Sequence, residues 1–203
     1  MIIKNYISNI GYFIINRLAE LVGIALVIAS ILLFISLISY SPEDPNFIFP
    51  ENQNVKNILG IRGSFIADIF FQSIGIVSLL IPFSLLFTGL SITINKKFII
   101  IIENIFFIIL YIILATFFFG IFHKETYWLI MNGNNGFVGD LMSETIIADF
   151  LKINKTVSYY LLIFFILLFF MLSSNFKIVH ISNFFNLIKK LFVSKKDNLI
   201  NQE

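Results

Sequence analysis

The chain has 203 residues with a formal net charge of +2, and 58% of its residues are hydrophobic while only 13% are charged. This balance excludes an ordinary soluble domain, and the small net charge gives no indication of a nucleic-acid surface. Cysteine is absent, which excludes a disulfide framework, a thiolate nucleophile and a thiolate metal site. The composition therefore predicts an integral membrane protein.

Four apolar blocks of membrane-spanning length follow one another along the chain. They cover about residues 18–40, 65–94, 98–120 and 157–175. Each is close to the roughly 20 residues that an α-helix needs to cross the hydrocarbon core of a bilayer. Because lipid offers no partners to backbone polar groups, helices are the structure expected for all four. The predicted fold is an all-α integral membrane protein with four transmembrane helices.

The basic residues predict the orientation of these helices. With both termini on one side, that side carries nine Lys and Arg residues, and the opposite side carries five together with seven acids. The positive-inside rule then places both termini in the cytoplasm and the loops 41–64 and 121–156 outside. The predicted domains are a cytoplasmic amphipathic segment (1–17), the four-helix domain (18–175) and a basic cytoplasmic tail (176–203). The tail is either a basic amphipathic helix on the inner leaflet or a solvated segment.

The first helix is followed at once by the sequence SYSPEDPNF, residues 39–47. Two prolines remove backbone donors and force extended conformations on the residues before them, so the helix is expected to end at Tyr40. Asp44 or Ser41 can bond the backbone of the turn itself. We therefore predict a rigid elbow at the outer interface, the alternative being an ordinary helix stop.

Small and polar residues punctuate the entry into the second apolar block. They are Asn57, Gly60, Gly63, Ala67, Asp68, Gly75 and Pro82. Asp68 is expected in the first turns of this helix, where the helix dipole favours a carboxylate. The alternative is a specific partner, either Arg62 or a lysine of the second outer loop.

The second outer loop contains GNNGFVGD, residues 133–140, in which Gly133, Gly136 and Gly139 predict a tight turn. The two asparagines between the first glycines tolerate positive φ nearly as well as any non-glycine residue. A phosphate cradle is not indicated, because no Lys-Ser or Lys-Thr pair follows.

Polar groups within the spans predict packing rather than chemistry. Glu20 lies three residues after Arg17 on the same helical face, so we expect an interfacial ion pair and not a proton relay. Small residues four apart in the first helix favour close helix packing, as do Ser84 and Thr88 in the second. No residue is predicted to be catalytic, to bind a cofactor or to ligate a metal.

Together these motifs resemble the amino-terminal four-helix membrane domain of the FtsK/SpoIIIE DNA translocases. That domain has a first span ending in a Ser-Tyr-Ser-Pro-x-Asp-Pro turn and a second helix opened by Gly-x-x-x-Ala-Asp. The matching residues are Ser39, Tyr40, Ser41, Pro42, Asp44 and Pro45, then Gly63, Ala67 and Asp68. The resemblance runs from about residue 17 to residue 172.

The resemblance implies a role in bacterial cell division. It places the chain in the inner membrane at the division septum, in contact with lipid and with other membrane proteins of the divisome, and allows self-association. DNA would be engaged only through the family's ATPase motor, and no Gly-Lys-Ser or Gly-Lys-Thr occurs in this sequence. The expected function is a noncatalytic membrane anchor and interaction module, not an enzyme.

Two other classes of protein remain as alternatives. A small transporter or channel subunit would show broken helices or a polar cluster near the middle of the membrane. Only Pro82 with Ser78 and Ser84 offers a weak version of that pattern. A membrane enzyme ranks third, since the outer loops contain no paired nucleophile and base.

Overall fold

A computed structural model of the protein describes residues 2–46, 55–124, 129 and 133–174, with side chains from residue 10 onward. These residues form α-helices and no strand, which confirms the all-α prediction. The helices are α1 (Ile2–Ile38), α2 (Gly60–Ile74), α3 (Ile81–Asn95), α4 (Ile99–Phe122), α5 (Gly136–Ser143), α6 (Ile146–Ile153) and α7 (Lys155–Ser173). A 3₁₀ segment, Gly75–Leu80, joins α2 to α3.

Four helical stretches in the described residues are long and apolar enough to cross a membrane. They are Ile10–Ile38, Gly60–Asn95, Ile99–Phe122 and Lys155–Ser173. Each overlaps one predicted span, although α1 is helical from Ile2 and shows no break at the predicted boundary after residue 17. The predicted tail, residues 176–203, lies outside the described residues. We call the end of the bundle that carries residues 39–46, 55–59, 123–124 and 133–154 the loop side, and the opposite end, at Lys96, the short-loop side.

The second apolar block is not the single continuous helix that the sequence predicts. Gly75 has a positive φ of 60° and ends α2. The Ser30 hydroxyl donates to the Pro82 carbonyl, and the Ser36 hydroxyl donates to the Gly63 carbonyl. On α1 these two serines lie about 9 Å apart, whereas a straight helix would separate Gly63 from Pro82 by about 28 Å. The chain between them must therefore fold back at the break.

The break separates the second apolar block into α2 and residues 75–95, which have different positions in the bundle. Six residues of 3₁₀ helix and the 15 residues of α3 give about 34 Å, which is enough to cross the hydrocarbon core. Successive turns of α2 instead contact the last turns of α1, since Ala67 and Phe71 pack against Leu37. We conclude that residues 75–95 make the crossing and that α2 packs across the loop-side end of α1.

Helix α3 packs against the middle of α1 along most of its own length. Near the short-loop side, Glu20 accepts from both Arg17 and Lys96, as the predicted ion pair requires. One turn further, Gly23 and Gly89 allow the two backbones to touch, because a Cβ on Gly89 would lie 2.6 Å from the Gly23 carbonyl oxygen. Small residues at the crossing thus replace the hydrophobic driving force that lipid does not supply.

Polar side chains connect α3 to the other two spans. The Ser84 hydroxyl lies 3.2 Å from the Tyr111 hydroxyl on α4 and 3.0 Å from the Ser173 hydroxyl on α7. One turn along α3, Thr88 accepts a 2.8 Å hydrogen bond from the Asn104 amide. These buried groups satisfy one another within the bundle, so the polar residues predicted to pack α3 do so against α4 and α7.

Candidate functional site

The elbow predicted after α1 is held closed by a buried carboxylate. Asp44 is only 6% exposed, and its two oxygens accept from the backbone N–H groups of Lys56 and Asn57, each at 2.8 Å. The Ser41 hydroxyl accepts from the Glu43 N–H at 3.4 Å, as expected for a local turn. Asp44 thus ties the two ends of the first long loop together instead of bonding its own turn.

Asn57 anchors the returning end of this loop to both neighbouring helices. Its amide nitrogen donates to the Ser36 carbonyl on α1 at 2.8 Å, and its amide oxygen accepts from the Leu59 N–H. Gly60 follows with a φ of +67° and begins α2. A side chain at Gly63 would collide with the Asn57 amide, which explains the need for glycine there.

Further bonds join the elbow to the first turns of α2. The Ser64 hydroxyl donates to the Pro45 carbonyl at 2.7 Å, and the Ile58 N–H donates to the Ser39 hydroxyl at 3.2 Å. Pro45 is buried while Pro42 is exposed on the outer surface of the turn. The two halves of the family motif, although about 20 residues apart in sequence, therefore form one cluster. We call residues 36–46 and 55–68 the elbow cluster.

Asp68 lies elsewhere than the sequence predicts. It is the ninth residue of α2, more than two turns from the helix start, where the helix dipole no longer favours a carboxylate. Its carboxylate accepts from the Gln72 amide at 2.7 Å and faces the Tyr40 hydroxyl at 3.5 Å. Among the described residues, the hydrogen-bond partners of Asp68 are thus an amide and a phenol, and Arg62 is exposed.

The glycine turn of the second loop fits into the break between α2 and α3. The Ile76 N–H donates to the Asn134 carbonyl at 2.9 Å. Gly133 and Gly136 both have positive φ, and a side chain on Gly75 or Gly136 would overlap the backbone of the other segment. We call this contact between residues 74–76 and 134–136 the glycine junction.

The junction is continued by the packing of α5 on α4. A Cβ on Gly139 would lie 2.6 Å from the Thr116 carbonyl oxygen, and one on Gly120 would lie 2.8 Å from the Gly139 carbonyl oxygen. The helices can approach this closely only because both positions are glycine. Gly139 therefore packs a helix, and only Gly133 and Gly136 provide turn conformations.

An ion pair closes the outer edge of the second loop. Asp140 lies 2.7 Å from the Lys124 ammonium and accepts from the Asn135 amide at 3.0 Å. Burial opposes ionisation of Asp140, but these two hydrogen bonds outweigh it and hold the pKa of Asp140 below its usual value. The pair is thus ionised at neutral pH. Because both side chains are partly exposed, it contributes only about 0–1 kcal/mol.

The predicted motif residues thus separate into two groups. The elbow cluster contains Ser39, Tyr40, Ser41, Pro42, Asp44, Pro45, Asn57, Gly60, Gly63, Ala67 and Asp68. Gly75, Gly133, Gly136 and Gly139 form or adjoin the glycine junction. Pro82 is apart from both, buried against α1. Sequence reasoning missed Ser36 and Gly120, whose only signal is a small residue within an apolar run.

Ligand chemistry is not indicated by the residues that the structure places together. Within residues 2–46, 55–124, 129 and 133–174, no group of three or more His, Cys, Asp or Glu side chains could hold a metal ion. Asp44, Asn57 and Asp68 use their oxygens on the protein itself. The arrangement organises the shape of the loop side.

The contacts of the elbow cluster predict that alanine substitution of two adjacent acids destabilises the protein by different amounts. Asp44→Ala would leave two backbone N–H groups without their acceptor, which we expect to lower the free energy of unfolding by about 2–4 kcal/mol. Glu43→Ala removes only a solvent-exposed ion pair with Lys56 and should leave the free energy of unfolding nearly unchanged. Unfolding of each purified variant by SDS titration measures both. Equal losses would contradict the role of Asp44.

The glycine junction predicts a similar contrast between two glycines. Gly60 and Gly75 have nearly the same positive φ, but only Gly75 faces the backbone of another segment. Gly60→Ala should cost about 1–2 kcal/mol from backbone strain alone. Gly75→Ala should cost about 1–3 kcal/mol more, because the junction must open to admit a methyl group. The same unfolding measurement compares them, and indistinguishable losses would mean that the junction is not tightly packed.

Comparison with known proteins identifies the family. The family model for the 4TM region of DNA translocase FtsK/SpoIIIE matches residues 16–186. A DNA translocase FtsK from Azospirillum brasilense is 29% identical over 87 residues, which cover 42% of this chain and 14% of that protein. No solved structure matches the chain. Because the family model covers most of the sequence, including the elbow cluster and the glycine junction, the chain belongs to the FtsK/SpoIIIE family as its four-helix membrane region, which is not the ATPase motor.

Proposed function

We propose that this chain is a noncatalytic inner-membrane anchor whose loop side binds membrane proteins of the divisome. The observation that carries this proposal is that the described parts of both long loops are tied to each other and to the helices. The elbow cluster is fixed by the buried Asp44 and Asn57, and the second loop is fixed by the glycine junction. A surface fixed in this way keeps one shape, which reduces the ordering cost of binding a partner.

Family membership supports the rest of the proposal. The matched relative is called a DNA translocase, and the region matched here is the four-helix membrane region. DNA would then be moved by a motor outside this region, and the membrane region would hold that motor at the division septum. Contacts with divisome proteins, with lipid and with further copies of the chain follow from this role.

The proposed orientation places the loop side outside the cytoplasm. It rests on the nine basic residues of the short-loop side and termini against five on the loop side. In this orientation the elbow cluster and the glycine junction face partners in the periplasm. The short-loop side, with the ion pair of Glu20 and Lys96, faces the cytoplasm.

A small transporter or channel subunit is the second candidate. The broken second span favours it, since discontinuous helices line substrate sites in many transporters. Ser78, below the break, is buried and its hydroxyl has no partner among the described residues. The break, however, is filled by the backbone of residues 134–136, and Ser84 bonds to Tyr111 and Ser173. We therefore rank an anchor above a transporter.

A fusion of the chain to green fluorescent protein at its carboxyl end tests the anchor proposal in dividing cells of the source bacterium. We expect a fluorescent band at the septum. Replacing both Pro42 and Pro45 with alanine frees two φ angles in the elbow, so this variant should insert but spread around the membrane. The fluorescence also tests whether the carboxyl end lies in the cytoplasm, because green fluorescent protein becomes fluorescent there.

Glu43→Ala is the matched control, since it changes an exposed residue of the same turn and should keep the septal band. Uniform membrane fluorescence of the unaltered chain, at equal expression, would defeat the proposal. A septal band that the proline changes leave intact would move the recognition surface from the elbow to the helices. A fusion that is inserted in the membrane but not fluorescent would show that the orientation is the reverse of the one proposed.

A further inference from the structure

The short helix α6, in the second long loop, exposes large apolar side chains. Ile146, Ile147, Phe150 and Ile153 are 87%, 62%, 73% and 79% exposed, respectively. These are half of the eight residues of the helix. On a surface in contact with water, each of these side chains would lose the favourable free energy of leaving water. We therefore expect the exposed face of α6 to lie in an apolar environment.

The residues of α6 form three faces around the helix axis. At about 100° per residue, Phe150 and Ile153 lie within about 40° of Ile146 and form one apolar face. Ala148, on nearly the opposite side, is fully buried against the protein. The charged Asp149 and Lys152 occupy the third face and are exposed. A helix that is apolar on one face and charged on another is typical of segments lying in a membrane interface.

The position of α6 along the chain puts it at the level of this interface. Only Asn154 separates its last residue from α7, and the Asn154 side chain accepts from the Val157 N–H at the start of that span. Near the start of α7, Val157 and Tyr160 are themselves exposed. Tyrosine is enriched where a span meets the headgroups, so α7 enters the membrane within about two turns of α6.

We propose that α6 is an interfacial anchor whose apolar face, formed by Ile146, Phe150 and Ile153, inserts into the acyl chains of the loop-side leaflet. Only Asn154, Lys155 and Thr156 separate this face from the exposed apolar residues of α7, which begin at Val157, and this proximity to a membrane span indicates lipid as the occupant. Asp149 and Lys152 then point toward the headgroups and water. The helix holds the second loop, and with it the glycine junction, at a fixed depth relative to the bilayer.

The absence of cysteine allows this proposal to be tested with single labels. The full chain is prepared with one cysteine at Phe150, Ile146 or Asp149, labelled with the fluorophore NBD and placed in lipid nanodiscs, where both membrane faces are accessible. Quenching by aqueous iodide and by lipids carrying a doxyl group on the acyl chain is then measured. All three positions are exposed, so the label disturbs no packing.

We expect iodide to quench labels at positions 150 and 146 several-fold less than the label at position 149, and doxyl lipid to quench them several-fold more. Iodide quenching at 150 and 146 as strong as at 149 would overturn the proposal, because the face would then be in water. Protection from iodide without doxyl quenching would also overturn it, since a second copy of the chain or another protein would then cover the face.

Discussion

The structure depends on how one backbone interruption is satisfied inside an apolar segment. A helix broken within a membrane leaves amide and carbonyl groups that lipid cannot bond. Here the N–H of Ile76, just after the break at Gly75, donates to the carbonyl of Asn134 from a loop almost 60 residues further along the chain. Glycines at 75 and 136 allow the two backbones to approach closely enough for this bond. The break and the glycine turn therefore form one feature, in which each segment contacts the backbone of the other.

The rest of the loop side follows from this junction. Because the chain folds back at Gly75, α2 lies against the last turns of α1 and carries Gly63, Ser64 and Asp68 to the elbow. The elbow is then closed by the buried polar side chains of Asp44 and Asn57, which fix the ends of the first long loop. The same junction leads directly into α5, which packs on α4 through Gly139 and Gly120. The proposed anchoring, partner binding and membrane depth would thus share one structural origin.

The sequence predicted what depends on local chemistry and missed what depends on long-range contacts. Hydrophobic length was enough to find the four spans, and the two prolines were enough to find the end of α1. The break at Gly75 was not predicted, because a single glycine in an apolar run looks the same whether the helix continues or folds back. Asp68 was placed near a helix start because α2 begins earlier, at Gly60, after an Asn57 that is held by a long-range bond to the Ser36 carbonyl on α1. For the same reason Gly120 was overlooked, since its partner Gly139 is in another helix.

The distance between Ile66 on α2 and Leu90 on α3 tests the fold-back most directly. Both residues are exposed and the chain has no cysteine, so spin labels can be attached there and their separation measured by double electron–electron resonance. Ile10 and Phe34, also 24 residues apart but within the uninterrupted α1, form the control pair, for which we expect about 36 Å. The account predicts a separation for Ile66 and Leu90 that is shorter by about 10 Å or more, since the break returns α2 to the side of α1. Equal separations for the two pairs would show a continuous second helix and contradict the account.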